Sequence, residues 1–249
     1  MRGSFMKRKV LFAVCTMLAG LTIFGCAKSE NSESMESSQI NGAGEEEKET
    51  EEPEETEKGE AEDPVQSKGT LTLEDVMNAP VTDEQYFTYR ETEGGIVVLS
   101  CTCEDDIIVL PETIDGKTVV GIDTNLFAYN GTKARGIYVA DTVEVIPERA
   151  FADADNLEIL VLGTGIKVME CISIADDNNL KVVAILSKQL ETLEEWMVAS
   201  CPALEEIYFE GDCNEVIGII GDADPTIYGP ADSNIEKYAK EDGFTFVAR

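Results

Sequence analysis

Residues 152–162 read ADADNLEILVL, and the pattern returns as ADDNNLKVVAI at 175–185 and as ASCPALEEIYF at 199–209. Each copy places one apolar anchor ahead of a short β-favouring run. Ala134, Leu157, Leu180 and Leu204 stand 23, 23 and 24 positions apart. Three residues after each anchor lie Ile137, Leu160, Val183 and Ile207, and five after lie Val139, Leu162, Ile185 and Phe209. Positions of equal parity on an extended chain share a face, so these pairs mark a strand with two inward side chains per copy. Further apolar positions recur behind them. Val143 and Ile146 match Ile166 and Met169, then Leu190 and Leu193, then Cys213 and Val216, with Phe151, Ile174 and Val198 closing each copy.

A period of 23–24 residues built of strand and turn lies in the leucine-rich repeat range. One copy cannot bury its apolar side alone, so stacked copies must supply the core. The predicted fold class is a mainly β repeat solenoid with short turns and helical segments, capped at both ends. Val119, Ile122 and Phe127 form an earlier copy, separated from the strand at 107–110 by the longer loop PETIDGK.

Outward from the repeats, 107–220 read as the repeat array and 221–249 as a C-terminal cap. In the cap, Ser233 to Glu236 has capping-box spacing and Gly243 suits the residue after a helix end. Phe244, Phe246 and Val247 are expected to seal the last turn. Residues 69–106 read as an N-terminal capping segment and hairpin. Thr72 precedes Leu73-Glu74-Asp75, and Pro80 stops that short helix.

Residues 26–68 hold fifteen acids, four lysines and almost no apolar side chains. Such a stretch buries too little surface to offset its ordering entropy and reads as a disordered, self-repelling tether. Residues 1–25 read as a signal peptide. Lys7, Arg8 and Lys9 precede an apolar run from Val10 to Phe24, which is shorter than the roughly 20 residues of a spanning helix.

Two resemblances follow from these residues. Ile23-Phe24-Gly25-Cys26 resembles the lipobox of bacterial lipoproteins, which implies that Cys26 carries a diacylglycerol and anchors the chain on the extracellular face of the membrane; ordinary cleavage and secretion is the alternative. VLPETIDGKTVVGI, DTVEVIPERAFADADNLEILVL and TIYGPADSNIEKYAKEDGFTFV resemble the BspA-type leucine-rich repeat surface proteins over roughly 86–249. The resemblance implies cell-surface placement and, as in several members of that family, adhesion to host or partner proteins. The repeats at 159–181 and 182–205 depart from that pattern, with Ile174 and Val198 in place of Phe and Met169 and Leu193 in place of Ile.

Charge and composition exclude other classes. The formal charge is −31, or −35 once the four basic residues of 1–25 are gone. That repels nucleic acid and anionic lipid headgroups, so membrane association rests on the lipid anchor. The chain has no histidine, hence no Ser-His or Cys-His couple, and the expectation is a non-enzymatic protein without cofactor or metal. Asp222 and Asp224, after Asp212, could offer calcium oxygen ligands but lack the spacing of a calcium loop. Cys101, Cys103, Cys171, Cys201 and Cys213 are irregularly spaced and read as thiols rather than a disulfide framework. Cys171 falls at the register of Glu148 and Glu195 and is expected to be exposed.

The outward strand rows are unexpectedly apolar for so acidic a chain. Tyr138, Ile159, Val161, Val182, Ala184, Leu186 and Tyr208 form a candidate binding patch, since contiguous exposed apolar surface marks partner sites. The alternative is that N-terminal strands or another segment cover the row as a second core layer. An open row predicts that Val161→Asp abolishes binding and leaves the fold intact; a covered row removes the patch. The functional expectation is a surface recognition module for protein or glycan, with a ligand-free spacer or an accessory subunit of a surface complex as alternatives.

Overall fold

The computed structural model describes residues 69–124, 126–128 and 131–249. The expected signal peptide, Cys26 and the expected tether lie outside the described residues. The chain opens with α1 (Leu73–Met77), then β1 (Phe87–Thr92), β2 (Gly95–Cys101), β3 (Ile107–Val109), β4 (Thr113–Ile114) and β5 (Lys117–Ile122). Each complete turn then contributes three short strands. These are β6 (Gly136–Val139), β7 (Val145–Ile146) and β8 (Phe151–Ala152); β9 (Ile159–Leu162), β10 (Val168–Met169) and β11 (Ile174–Ala175); β12 (Val182–Ile185), β13 (Leu190–Leu193) and β14 (Val198–Ala199). A last turn gives β15 (Glu206–Phe209) and β16 (Cys213–Val216), followed by β17 (Thr226–Gly229), α2 (Asn234–Asp242) and β18 (Phe246–Ala248).

The result is a mainly β solenoid with three parallel sheets. The main sheet runs β18-β17-β15-β12-β9-β6-β3, the second β16-β13-β10-β7 and the third β14-β11-β8. Register follows the repeat. Ile137 pairs with Leu160, Leu160 with Val183 and Val183 with Ile207. All four are fully buried, as are Val139, Leu162, Ile185 and Phe209 behind them. Ile146, Met169 and Leu193 supply the second wall and Phe151, Ile174 and Val198 the third, all at 0% exposure. Met169 and Leu193 thus fill the same core position as Ile146, and Ile174 and Val198 the same position as Phe151, with different volumes. Phe127 and Phe151 stack at 5.6 Å between ring centroids and extend the third wall towards the N-terminus.

Three strands per turn require sharp corners, and in the three complete turns the corners are not glycines; Gly218, at φ 56°, takes that place only in the last turn. Arg149, Ile172 and Trp196 have φ of 59°, 55° and 57°, and Asp153, Asp176 and Ser200 have φ of 56°, 58° and 53°. The left-handed region costs a side-chain-bearing residue about 1–2 kcal/mol. Bonds between turns offset it: Arg149 N donates to Ile172 O at 3.1 Å, Ile172 N to Trp196 O at 3.1 Å and Trp196 N to Gly218 O at 3.0 Å. The backbone ladder thus continues through the corners.

Both ends are closed. At the N-terminus, β1 and β2 form an antiparallel hairpin, and β2 runs parallel to β5, so the cap reaches past residue 106 into the first copy of the repeat. At the C-terminus, Ser233 Oγ accepts from Glu236 N at 3.0 Å and Gly243 ends α2 at φ 85°. The Glu236 side chain reaches back to Asp232 N rather than to Ser233 N. Ile235, Tyr238 and Ala239 bury over the last turn, with Phe244 and Phe246 packed beside them. Val247 does not take part: it faces outward at 41% exposure.

Candidate functional site

The outward face of the main sheet begins at a column of alternating charge. Arg135 lies between Asp106 (3.1 Å) and Glu158 (2.5 Å), and Glu158 also takes Lys181 at 2.7 Å. Arg135, Glu158 and Lys181 recur at the 23-residue interval, so each of these turns places an opposite charge over the last. The Arg135 guanidinium, with Lys181 in support, holds the Glu158 carboxyl below its ordinary range against its own burial. Arg135 Nη2 also donates to Gly69 O at 3.0 Å and so fixes the chain entering α1.

From that point α1 lies on the sheet. Thr72 Oγ1 accepts from Asp75 N at 3.2 Å, and Asp75 Oδ2 accepts from Thr72 N at 2.9 Å, a complete capping box for a five-residue helix. Val76 is fully buried against Ile159, Val161 and Ala184, with Leu71 and Leu73 beside it. The fit needs Gly136, where a Cβ would meet Val76 Cγ2 at 2.6 Å. Burying an aliphatic side chain of this size contributes about 1.5–3 kcal/mol, enough to seat so short a helix only because neighbours share the load.

The seven residues of the predicted patch therefore divide. Ile159, Val161 and Ala184 are 3%, 0% and 1% exposed and form a second core layer, so they are unavailable to a partner. The cover is α1, whereas the β1–β2 hairpin packs at the end of the solenoid. Tyr138, Val182, Leu186 and Tyr208 remain half-buried at the edges of that layer.

Where α1 stops, aromatic side chains continue the face. Tyr208 and Tyr228 stack at 4.5 Å with 13° between their planes, and Arg249 lies 5.4 Å over Tyr208. Both hydroxyls donate to Glu206, Tyr208 at 2.7 Å and Tyr228 at 3.1 Å. Burial first, and the bond to Glu206 second, push the Tyr208 hydroxyl up to about 12. Arg249 pairs with Glu210 across the same strip. The rings and carboxylates are thus held in fixed positions. Tyr228 belonged to no predicted patch because β17 follows a loop that breaks the 23–24 spacing.

The other sites read from sequence are dispersed. Asp212 Oδ1 accepts from Asn234 N at 2.8 Å and Cys213 N at 2.8 Å, which commits it to the start of α2. Asp222 and Asp224 are exposed. Among the described residues no three His, Cys, Asp or Glu side chains converge on a metal position. The five described cysteines form no disulfide. Cys101, Cys103, Cys201 and Cys213 are buried, and burial pushes the Cys101 thiol up to about 11 and Cys201 up to about 12. Cys171 is half-buried rather than exposed.

No family profile and no curated protein matches this chain. Among solved structures, the chain is similar to the crystal structure of the T. pallidum leucine-rich repeat protein TpLRR. The alignment has 17% identity and a TM-score of 0.40, over 68% of this chain and 98% of the other.

Proposed function

We propose that this chain is a non-catalytic recognition scaffold, displayed outside the cell on a lipid attached at Cys26 and an acidic tether over 26–68. The observation that supports recognition is the strip beyond α1. Val182 on β12, Leu186 directly after that strand, Tyr208 on β15 and Tyr228 on β17 are half-buried, and Tyr208 and Tyr228 are paired in register. Glu206 and Glu210 hold its rim. Preformed aromatic side chains bind partners at low entropic cost, because little rotamer freedom remains to be lost. The partner is a surface protein or glycan.

Two experiments test this reading. Replacement of Cys26 by Ala is expected to move the chain from the membrane fraction to the medium; retention on the membrane overturns the anchor. Leu186→Asp together with Tyr208→Ser is expected to abolish adhesion of cells or beads displaying the full chain to a partner-bearing surface. Adhesion that survives both substitutions, with folding intact by circular dichroism, removes the strip and leaves a spacer.

A further inference from the structure

The loop leaving α1, residues 78–83, crosses the end of the main sheet and encloses an open cleft of ≈ 670 Å³ beside β3 and β6. Thr82 pins that loop. Its N–H donates to Val109 O and its Oγ1 accepts from Val109 N, both at 3.0 Å, and Thr82 itself is buried. The wall is therefore built before any ligand arrives. Its apolar part faces solvent, with Met77 at 46% and Val81 at 62% exposure.

The polar part has one sign. Asp83, Glu84, Glu112 and Asp141 line the cleft, and no lysine or arginine does. Among the described residues none of the four is ion-paired. Their hydrogen bonds come from neutral donors. Asp83 accepts from Gln85 N at 3.0 Å, Glu84 from Asp115 N at 2.9 Å, and Asp141 from the Tyr138 hydroxyl at 2.9 Å and Thr164 N at 3.0 Å. The same negative field reaches Tyr138. Burial first, then the bond to Asp141 and the charges of Asp141 and Glu112, hold its hydroxyl far above the ordinary range.

We propose that this cleft docks a lysine- or arginine-bearing segment of a partner protein, with the aliphatic stem on Met77 and Val81 and the cationic head among the carboxylates. Long cationic side chains combine these two surfaces, an apolar stem and a charged tip. Charge complementarity selects the occupant. The tether over 26–68, with fifteen acids against four lysines, is repelled, and so is a second copy of a chain carrying −31. A volume of this size lies within the range of ligand sites, about 300–1,000 Å³. The proposal rests on the reading of the chain as a recognition scaffold and supplies the partner chemistry that the aromatic strip leaves open.

The test uses the full chain and a fluorescein-labelled Leu-Lys-Arg-Leu peptide amide, with Leu-Glu-Glu-Leu as its counterpart, followed by anisotropy. The cationic peptide binds and the acidic one does not. Asp83→Asn with Glu112→Gln weakens binding about tenfold, two ion pairs of ordinary exposed-pair strength. An asparagine at 83 keeps the oxygen that accepts from Gln85, so the fold is preserved. Val81→Ser weakens binding about threefold through lost stem contact. The charge-matched pair Asp222→Asn and Asp224→Asn, in the loop before β17, leaves it within about twofold. Absence of binding overturns the proposal, as does equal weakening by both charge pairs or indifference to Val81. Peptide binding that persists in Leu186→Asp while adhesion is lost keeps the two surfaces separate; adhesion without peptide binding sinks the cleft alone.

Discussion

Two regions of this solenoid invert the usual disposition of side chains, and they are stabilised in opposite ways. On the outer face of β6, β9 and β12, residues that point away from the core are apolar, and α1 covers them. At the corner before β12, a residue that points into the core is charged. Asp177 has 0% exposure and occupies the inward column between Ala154 and Cys201 of the adjacent turns. Its Oδ1 accepts from Ala154 N at 2.6 Å, whereas its Oδ2 has no hydrogen-bond partner among the described residues. The first inversion is satisfied by added apolar contact. The second is satisfied only by half, and a half-satisfied buried carboxylate costs stability.

The largest expected effect tests the first region. Val161→Asp places a carboxylate beneath Val76, where α1 leaves no route to water. We expect a loss of about 3–5 kcal/mol, from forfeited burial and an unpaired charge. Chemical denaturation of the full chain measures it. A loss below about 1 kcal/mol would mean that α1 is not seated as a core layer. An exposed patch predicts that small value, so one variant separates the two accounts of the same row.

The second region has a pH signature. Burial pushes the Asp177 carboxyl up to about 7, with Asp153, Asp155 and Asp176 adding to the rise and the Ala154 amide opposing it. The ordinary value is 3.8, so the folded state binds a proton more tightly than the unfolded one over pH 4–7. Stability from this group is therefore greatest below about pH 4 and falls as pH rises to about 7. The full shift corresponds to a ceiling of about 4 kcal/mol. We expect Asp177→Asn, which retains the acceptor for Ala154, to gain roughly 1–3 kcal/mol relative to the native chain between pH 5 and pH 8. Taking the difference between the two pH curves cancels carboxylates such as Glu158, whose lowered value acts in the opposite sense. A flat difference would remove Asp177 as a strained group.

These inversions also mark where the sequence stops being legible. The inward columns at Leu157, Leu180 and Leu204 set the register because a parallel ladder repeats whatever the chain repeats. The cap at Ser233 and Gly243 is readable for the same reason that any helix end is: unsatisfied backbone groups demand particular side chains. The fate of the outer row is not periodic information. It depends on α1, a segment outside the repeat with three apolar side chains at its base, and the same row reads equally well as a patch or a floor. The corners at Arg149, Ile172 and Trp196 leave no glycine signal, since ladder bonds rather than backbone freedom hold them. The cleft at Met77 and Val81 falls outside the repeat too, so no neighbouring copy exposes its residues as unusual. One signal was available at Asp177: the column Ala154, Asp177, Cys201 places a carboxylate between two small apolar residues.

A smaller effect probes the seat of the helix itself. Gly136→Leu drives a side chain into Val76 and Leu71, which already approach the Cβ position to 2.6 and 3.2 Å. The expected outcome is displacement of α1 with the solenoid intact, at about 1.5–3 kcal/mol, the burial that Val76 gives up. Hydrogen exchange should quicken over 72–78 and remain slow in β9 and β12. Simultaneous loss of protection in those strands would show that α1 and the solenoid form one cooperative unit.

The smallest expected effect lies at the far end of the same face, beyond the strands that α1 covers. Arg249→Ala removes the guanidinium over Tyr208 and the pair with Glu210, but retains the backbone bond from Arg249 N to Gly229 O at 3.0 Å. The Arg249 side chain is 41% exposed, so water competes for every contact it makes. A cation over an exposed ring and a surface ion pair together contribute about 2 kcal/mol at most, falling with added salt. The same face is thus expected to tolerate a lost charge at β18 and to reject a gained one at Val161. An Arg249→Ala loss above about 2 kcal/mol, insensitive to salt, would place Tyr208 and Tyr228 in the same sealed layer as Val161, and the strip would then have no surface to offer a partner.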